Sequence, residues 1–305
     1  MSKTKILITG GSGLLALNWA LFCKNDYEVV LALNKRQISI PGVSCVKMDH
    51  SSYEGALQQI EKEKPDIIVH TAGLTSVELC ENNPELAYAV NTIMAENIAR
   101  VCALLSVKLI HISTDHLFTG DIANADENLT PSPVNIYGKT KMLAEIAVLN
   151  CKPDALVIRT NFYGWGPSYR NSFSDTILNM LRRESEISLF NDVHFTPILI
   201  DTLVHSVHQL IEMNQRGIFN VVGDERITKY EFGIYIAEEF KLKKNMIRPI
   251  NFSDKKDLIK RPLDLSLSNK KVSLLLNQQI GNVRAQLNKL HLQENMKDII
   301  QIRSL

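Results

Sequence analysis

The stretch Lys5-Ile6-Leu7-Ile8-Thr9-Gly10-Gly11-Ser12-Gly13-Leu14-Leu15-Ala16 governs how the rest of the chain is read. Its apolar run suits a buried strand, the glycines a tight turn, and the residues from Leu14 to Cys23 a helix. Gly10 permits the turn, Gly13 lets the backbone approach a pyrophosphate, and small Ala16 allows close helix–strand packing. The helix N-terminus then faces the negative charge, with Ser12, Leu14 and Leu15 in the same loop. In this strand–turn–helix context the loop is expected to hold a dinucleotide rather than to be a glycine-rich turn with no ligand.

The alternation begun there continues outward. Residues 27–33, 43–48, 66–71, 107–113 and 155–159 read as strands. Residues 53–62, 84–105 and 134–150 read as helices between them, with Asn83-Pro84 as N-cap and first helical position. Such βαβ units predict an α/β Rossmann fold with a doubly wound parallel sheet over residues 1–160. Residues 161–305 are expected to form mainly a smaller α/β substrate-binding domain. Helices are read there around 174–183, 198–213 and 229–240, and a strand near 217–222 returns to the first domain.

Composition narrows the classes. The chain has 305 residues, 45% apolar and 22% charged, with 34 Lys+Arg against 33 Asp+Glu. The apolar fraction is that of a globular protein, and the near-zero charge offers no field for nucleic acid or an acidic membrane. No signal peptide or membrane span is read, and five scattered cysteines without a C-x-x-C fit a reducing compartment, so the cytoplasm is expected. Eight histidines show no metal-ligand spacing, and no metal is expected.

The end of the second strand, Leu33-Asn34-Lys35-Arg36, carries two cations and no carboxylate. That suits a 2′-phosphate, so NADPH is favoured and NADH is the alternative. Asp49 is placed after the third strand to meet the adenine, beside His50, although Asp49-His50-Ser51-Ser52 also offers helix caps.

Tyr137 and Lys141 lie four apart on a helix and share a face. A nearby ammonium favours phenolate, and lowering a phenol by about three pKa units takes roughly 4 kcal/mol. Tyr137 is thus a candidate proton donor to a substrate carbonyl, with Lys141 holding the nicotinamide ribose. Thr114 stands at the end of a buried strand, where its hydroxyl can hold the same carbonyl oxygen. Phe162, Tyr163, Trp165 and Tyr169 form either a sugar-stacking wall or a set of loop anchors.

These motifs, with His70-Thr71-Ala72-Gly73, Ala89-Val90-Asn91, Arg159-Thr160 and Arg261-Pro262, resemble the extended short-chain dehydrogenases/reductases. Within them, the chain resembles the dTDP-4-dehydrorhamnose reductase group along nearly its whole length. The resemblance implies Thr114, Tyr137 and Lys141 as a catalytic triad, and Thr71, Ala72, Gly73, Tyr137 and Lys141 against the cofactor. It implies Asn91 as support from a neighbouring helix, and Arg261 as a nucleotide contact or a structural anchor. Two positions depart from the group: His116 stands where Tyr is usual, and Phe162 where Trp is usual. Both face the sugar in relatives, so they are candidate substrate contacts and the sugar is left open. The expected function is NADPH-dependent reduction of the 4-keto group of a nucleotide-linked deoxysugar, within polysaccharide biosynthesis, with a homodimer as one assembly. Two rivals are a non-catalytic NADP-binding regulatory subunit, similar to the partner of methionine adenosyltransferase, and a nucleotide-sugar epimerase.

Overall fold

The computed structural model describes residues 3–49 and 52–305. Its first half runs β1 (Lys5–Thr9), α1 (Leu14–Cys23), β2 (Glu28–Leu33), β3 (Ser44–Lys47), α2 (Tyr53–Glu63) and β4 (Ile67–His70). It continues through α3 (Val77–Asn82), α4 (Pro84–Tyr88), α5 (Met94–Leu104), β5 (Lys108–Ile112), α6 (Ile136–Cys151) and β6 (Leu156–Arg159). Then come β7 (Phe162–Tyr163), α7 (Phe173–Arg182), β8 (Ile187–Phe190), β9 (His194–Phe195), β10 (Ile198–Leu199) and α8 (Ile200–Glu212). The last segments are β11 (Gly217–Asn220), β12 (Ile227–Thr228), α9 (Lys229–Glu239), β13 (Ile247–Ile250), α10 (Lys270–Leu276), α11 (Val283–Gln293) and α12 (Lys297–Ser304).

Seven strands form one sheet in the order β11-β6-β5-β4-β1-β2-β3, every neighbouring pair parallel. β1, β4 and β6 are buried almost throughout, as continuous apolar runs require when helices cover both faces. The chain leaves β3 at one edge and re-enters at β4, on the other side of β1. The strand order thus reverses between β1 and β4, the switch point beyond whose carboxyl ends an open parallel sheet takes its ligand in a crevice. Three two-stranded ribbons, β10-β7, β12-β9 and β13-β8, lie outside the main sheet. Among the described residues, no helix is long and apolar enough to cross a membrane.

Local structure departs from the sequence reading at three places. The long helix expected from Asn83 to Leu105 contains a π-helical turn, Ala89–Ile93, between α4 and α5, and Asn83 makes no side-chain cap. Ser52, not Asp49, caps α2, its hydroxyl accepting from the Gly55 amide at 3.1 Å. Ile198 and Leu199 pair with β7 before α8 begins, because β-branched and bulky residues there dock on Phe162 and Tyr163.

Candidate functional site

The glycine-rich loop sits where the crevice opens. Gly10 adopts a φ of +67°, and a Cβ there would lie 2.9 Å from the Ala72 backbone, so both conformation and space demand glycine. The Gly13 amide donates to the Gly10 carbonyl at 2.7 Å and closes the turn. From the other side of the crevice, the Thr71 hydroxyl donates to the Thr9 carbonyl at 2.7 Å and the Ala72 amide to Thr9 Oγ1 at 3.4 Å. Gly73 follows, half-buried like Thr71 and Ala72. Gly13, the N-cap of α1, offers no side-chain acceptor, so the first-turn amides beginning at Leu14 and Leu15 are left to an anion. These features fit a dinucleotide pyrophosphate.

Asn34, Lys35 and Arg36 are exposed beyond β2. Asp49 is exposed beyond β3, and His50 lies outside the described residues. Tyr169 reaches this region from the second half of the chain. Its hydroxyl donates to the Ser12 carbonyl at 2.9 Å, and the Arg36 guanidinium lies 3.8 Å from its ring centroid.

Across the crevice, Asn135 caps α6 by accepting the Gly138 amide at 2.9 Å. Tyr137 and Lys141 project from one face of that helix, and both are buried. Thr114, just beyond β5, is buried, and its hydroxyl donates to Asp115 Oδ1 at 3.1 Å. Burial raises the Tyr137 phenol well above its ordinary value, against the opposing influence of Thr114. The expectation that Lys141 lowers this phenol is corrected: the Lys141 ammonium is bound elsewhere. It donates to the Ile112 carbonyl at 2.7 Å and stands 3.5 Å from His111 Nε2. Burial pushes the Lys141 amine down to about 8, against the attraction of Glu145. Tyr137 is accordingly poised in its acid form.

Several groups brace this arrangement. Asn91, buried in the π turn, accepts from the Leu74 amide at 2.7 Å and donates to the Leu74 carbonyl at 3.1 Å and to Thr140 Oγ1 at 3.0 Å. It thereby locks the loop after Gly73 to the helix carrying Tyr137. The extra residue of the π turn re-aims one side chain out of the helical register. Glu145 accepts from Ser113 Oγ at 2.5 Å and from Arg159 Nη2 at 2.7 Å, all three residues buried. Glu145 and Arg159 were not named as site residues; the signals were the four-residue spacing of Glu145 from Lys141 and the place of Arg159 in the Arg159-Thr160 motif. A Cβ on Gly138 would overlap the His116 carbonyl oxygen, so only glycine lets that backbone lie against α6.

On the side facing the second half, His116 packs edge-on to Tyr137 with centroids 5.4 Å apart. Burial lowers its imidazole, so it is neutral, and its Nδ1 has no partner among the described residues. Arg261 pairs with Glu78, and Asn135 Nδ2 donates to the adjacent Lys260 carbonyl at 3.0 Å. Phe162 is half-buried in β7. Tyr163 and Trp165 are core residues: Tyr163 packs on Phe232 at 4.9 Å, and Trp165 Nε1 donates to the Leu290 carbonyl at 2.9 Å. The four aromatics therefore form no common wall. Lys229, at the start of α9, escaped the sequence reading. Its Nζ lies 3.3 Å from the Phe195 ring centroid, and burial pushes its amine down to about 7, against the attraction of Asp115.

A family model described as the RmlD substrate binding domain matches residues 4–296. The chain belongs to that family. The spore coat polysaccharide biosynthesis protein SpsK of Bacillus subtilis is 31% identical to it over 238 residues, 77% of this chain and 79% of that one. A dTDP-4-dehydrorhamnose reductase from Salmonella typhimurium is 30% identical over 198 residues, 63% of this chain and 65% of that one. The methionine adenosyltransferase 2 subunit beta of Xenopus laevis is 28% identical over 255 residues, 81% of this chain and 75% of that one. Among solved structures, the Bacillus anthracis dTDP-4-dehydrorhamnose reductase in complex with NADP aligns with a TM-score of 0.85 at 25% identity. It covers 95% of this chain and 99% of that one.

Proposed function

We propose that the RmlD-family protein is an NADPH-dependent reductase acting on the 4-keto group of a nucleotide-linked deoxysugar. One observation carries the reading: Tyr137 and Lys141, both buried, share one face of α6, and His116, two residues beyond the buried Thr114, packs on the Tyr137 ring. A reductase needs a neutral acid at the carbonyl oxygen, and burial keeps Tyr137 in that form. NADPH, when bound, supplies hydride to the keto carbon. The glycine-rich loop and the free amides of α1 hold its pyrophosphate, and Lys35 and Arg36 its 2′-phosphate. Thr114 orients the substrate oxygen and Tyr137 gives it a proton. Lys141, steadied by the Ile112 carbonyl, would hold the cofactor ribose. His116, Phe162 and Arg261 contact the substrate, which residues 161–305 mainly enclose. A cytoplasmic homodimer completes the reading. An intact set of Thr114, Tyr137 and Lys141 does not by itself exclude a regulatory subunit; the dTDP-4-dehydrorhamnose reductases among the relatives and solved structures favour the reductase.

The test is NADPH oxidation against a panel of nucleoside-diphosphate 4-keto-6-deoxy sugars, with NADH and Tyr137→Phe alongside. Turnover with NADPH is expected, falling on the order of 10²–10⁴-fold in Tyr137→Phe. A Tyr137→Phe protein as fast as the parent would sink the assignment of the acid, and silence across the panel the assignment of the substrate.

A further inference from the structure

Tyr169 lies on a short segment of the second half that reaches the glycine-rich loop. Three further contacts define its path. The Arg170 guanidinium donates through Nη2 to Thr75 Oγ1 at 2.8 Å, just past the loop that follows β4. The Gly166 amide is anchored on Asp175 Oδ2 at 2.8 Å, and the same carboxylate accepts from the Ser172 amide at 2.9 Å, so both ends of the segment are fixed by one side chain. Between these ends, the Tyr169 hydroxyl is tied to the Ser12 carbonyl, which belongs to the glycine-rich loop itself. The ring is therefore held in register with the place where a pyrophosphate would bind.

Arg36 uses that ring as a shelf. It is exposed, and a long exposed side chain would ordinarily sample many rotamers at an entropic cost to whatever it binds. Stacking on Tyr169 restricts it before any ligand arrives. Stacking also consumes only the face of the guanidinium. The N–H edges stay in plane and available for a fork-like contact to phosphate oxygens. Among the described residues, no carboxylate pairs with Arg36.

We infer that Tyr169 is a cofactor-specificity residue supplied by the second half of the chain: it presents Arg36 to the 2′-phosphate of NADPH. The inference rests on the NADPH reading above and extends it to a residue outside the nucleotide-binding half. Tyr169 touches Arg36 and the Ser12 backbone, so it acts as a positioning residue, and its removal is felt through discrimination between the two nicotinamide cofactors.

The experiment measures dissociation constants of NADPH and NADH for the full chain by fluorescence titration, without substrate. The proteins are the parent, Arg36→Ala, Tyr169→Ala, Tyr169→Leu, Tyr169→Phe and the Arg36→Ala/Tyr169→Ala double variant. The parent is expected to prefer NADPH. Tyr169→Ala and Tyr169→Leu, the latter keeping bulk without a π face, are expected to lose roughly 3- to 30-fold of that preference. Tyr169→Phe keeps the shelf and most of the preference. The double variant discriminates no worse than Arg36→Ala alone, because Tyr169 works through Arg36. If both non-aromatic variants keep the parent ratio within twofold while Arg36→Ala loses it, the shelf is overturned and the NADPH reading stands. A parent protein that binds both cofactors equally overturns both.

Discussion

At the scale of single residues, the site is built from charged and titratable groups taken out of water. Lys141 is the clearest case. Its amine is lowered to about 8 because burial penalises the ammonium more than Glu145 restores it. The charge is therefore present below that pH and lost above it. The kcat/KM of the free enzyme is expected to fall above about pH 8, with that limb missing in Lys141→Arg even at a reduced rate. Lys229 titrates lower, at about 7, and Lys229→Met separates its contribution. The Glu145–Arg159 pair makes a different statement. Removing one partner leaves the other charge buried and unpaired, so Glu145→Ala should cost about 3–5 kcal/mol in urea unfolding. A loss under 1 kcal/mol would mean that water reaches Arg159.

At the scale of elements, α6 is placed by its contact with the backbone at His116. Gly138→Ala puts a methyl group into the His116 carbonyl, and the helix must move away from β5. A displacement approaching 1 Å at Tyr137 would cost up to about 10²-fold in kcat, and overpacking about 1–3 kcal/mol in stability. Steady-state kinetics and a melting curve on the same sample check both; an unchanged kcat would show that α6 does not set the acid's position.

Elements also explain what was legible in advance. β1, β4 and β5 announce themselves because parallel strands covered on both faces are nearly unbroken apolar runs. The ribbons β10-β7 and β12-β9 pair two residues each, too few for any periodicity to register. The π turn was invisible because Ala89–Ile93 sits inside an otherwise continuous helical pattern; there Asn91 reaches both Leu74 and Thr140. Of the site, Tyr137 and Lys141 could be paired because they lie four apart on one helix, while Thr114, at a strand end, was joined to them by the family resemblance. Glu145, Arg159 and Lys229 could not, since each acquires its partners only after distant segments meet. Tyr163 and Trp165 were ambiguous because aromatic residues serve cores and pockets equally well.

At the scale of the whole molecule, a ligand that binds only the folded chain stabilises it by mass action. At 100 times its dissociation constant NADPH should add about 2.7 kcal/mol. For a chain of this length that corresponds to roughly 4 °C in melting temperature. The shift is read by calorimetry with and without cofactor, and a shift near zero at that concentration would contradict binding to the native state.

The first helix has the most distant partners. Trp19, wholly buried in α1, donates to His208 Nε2 at 3.0 Å across 189 residues, and Lys24 pairs with Asp298 of α12 at 2.7 Å. Synthesised at ~5–20 residues per second, the chain carries an unsheltered Trp19 for roughly 10–40 s before its partner leaves the ribosome. The earliest helix to be made is thus among the last to be finished, and through that interval its apolar face is open to chaperones and to neighbouring nascent chains.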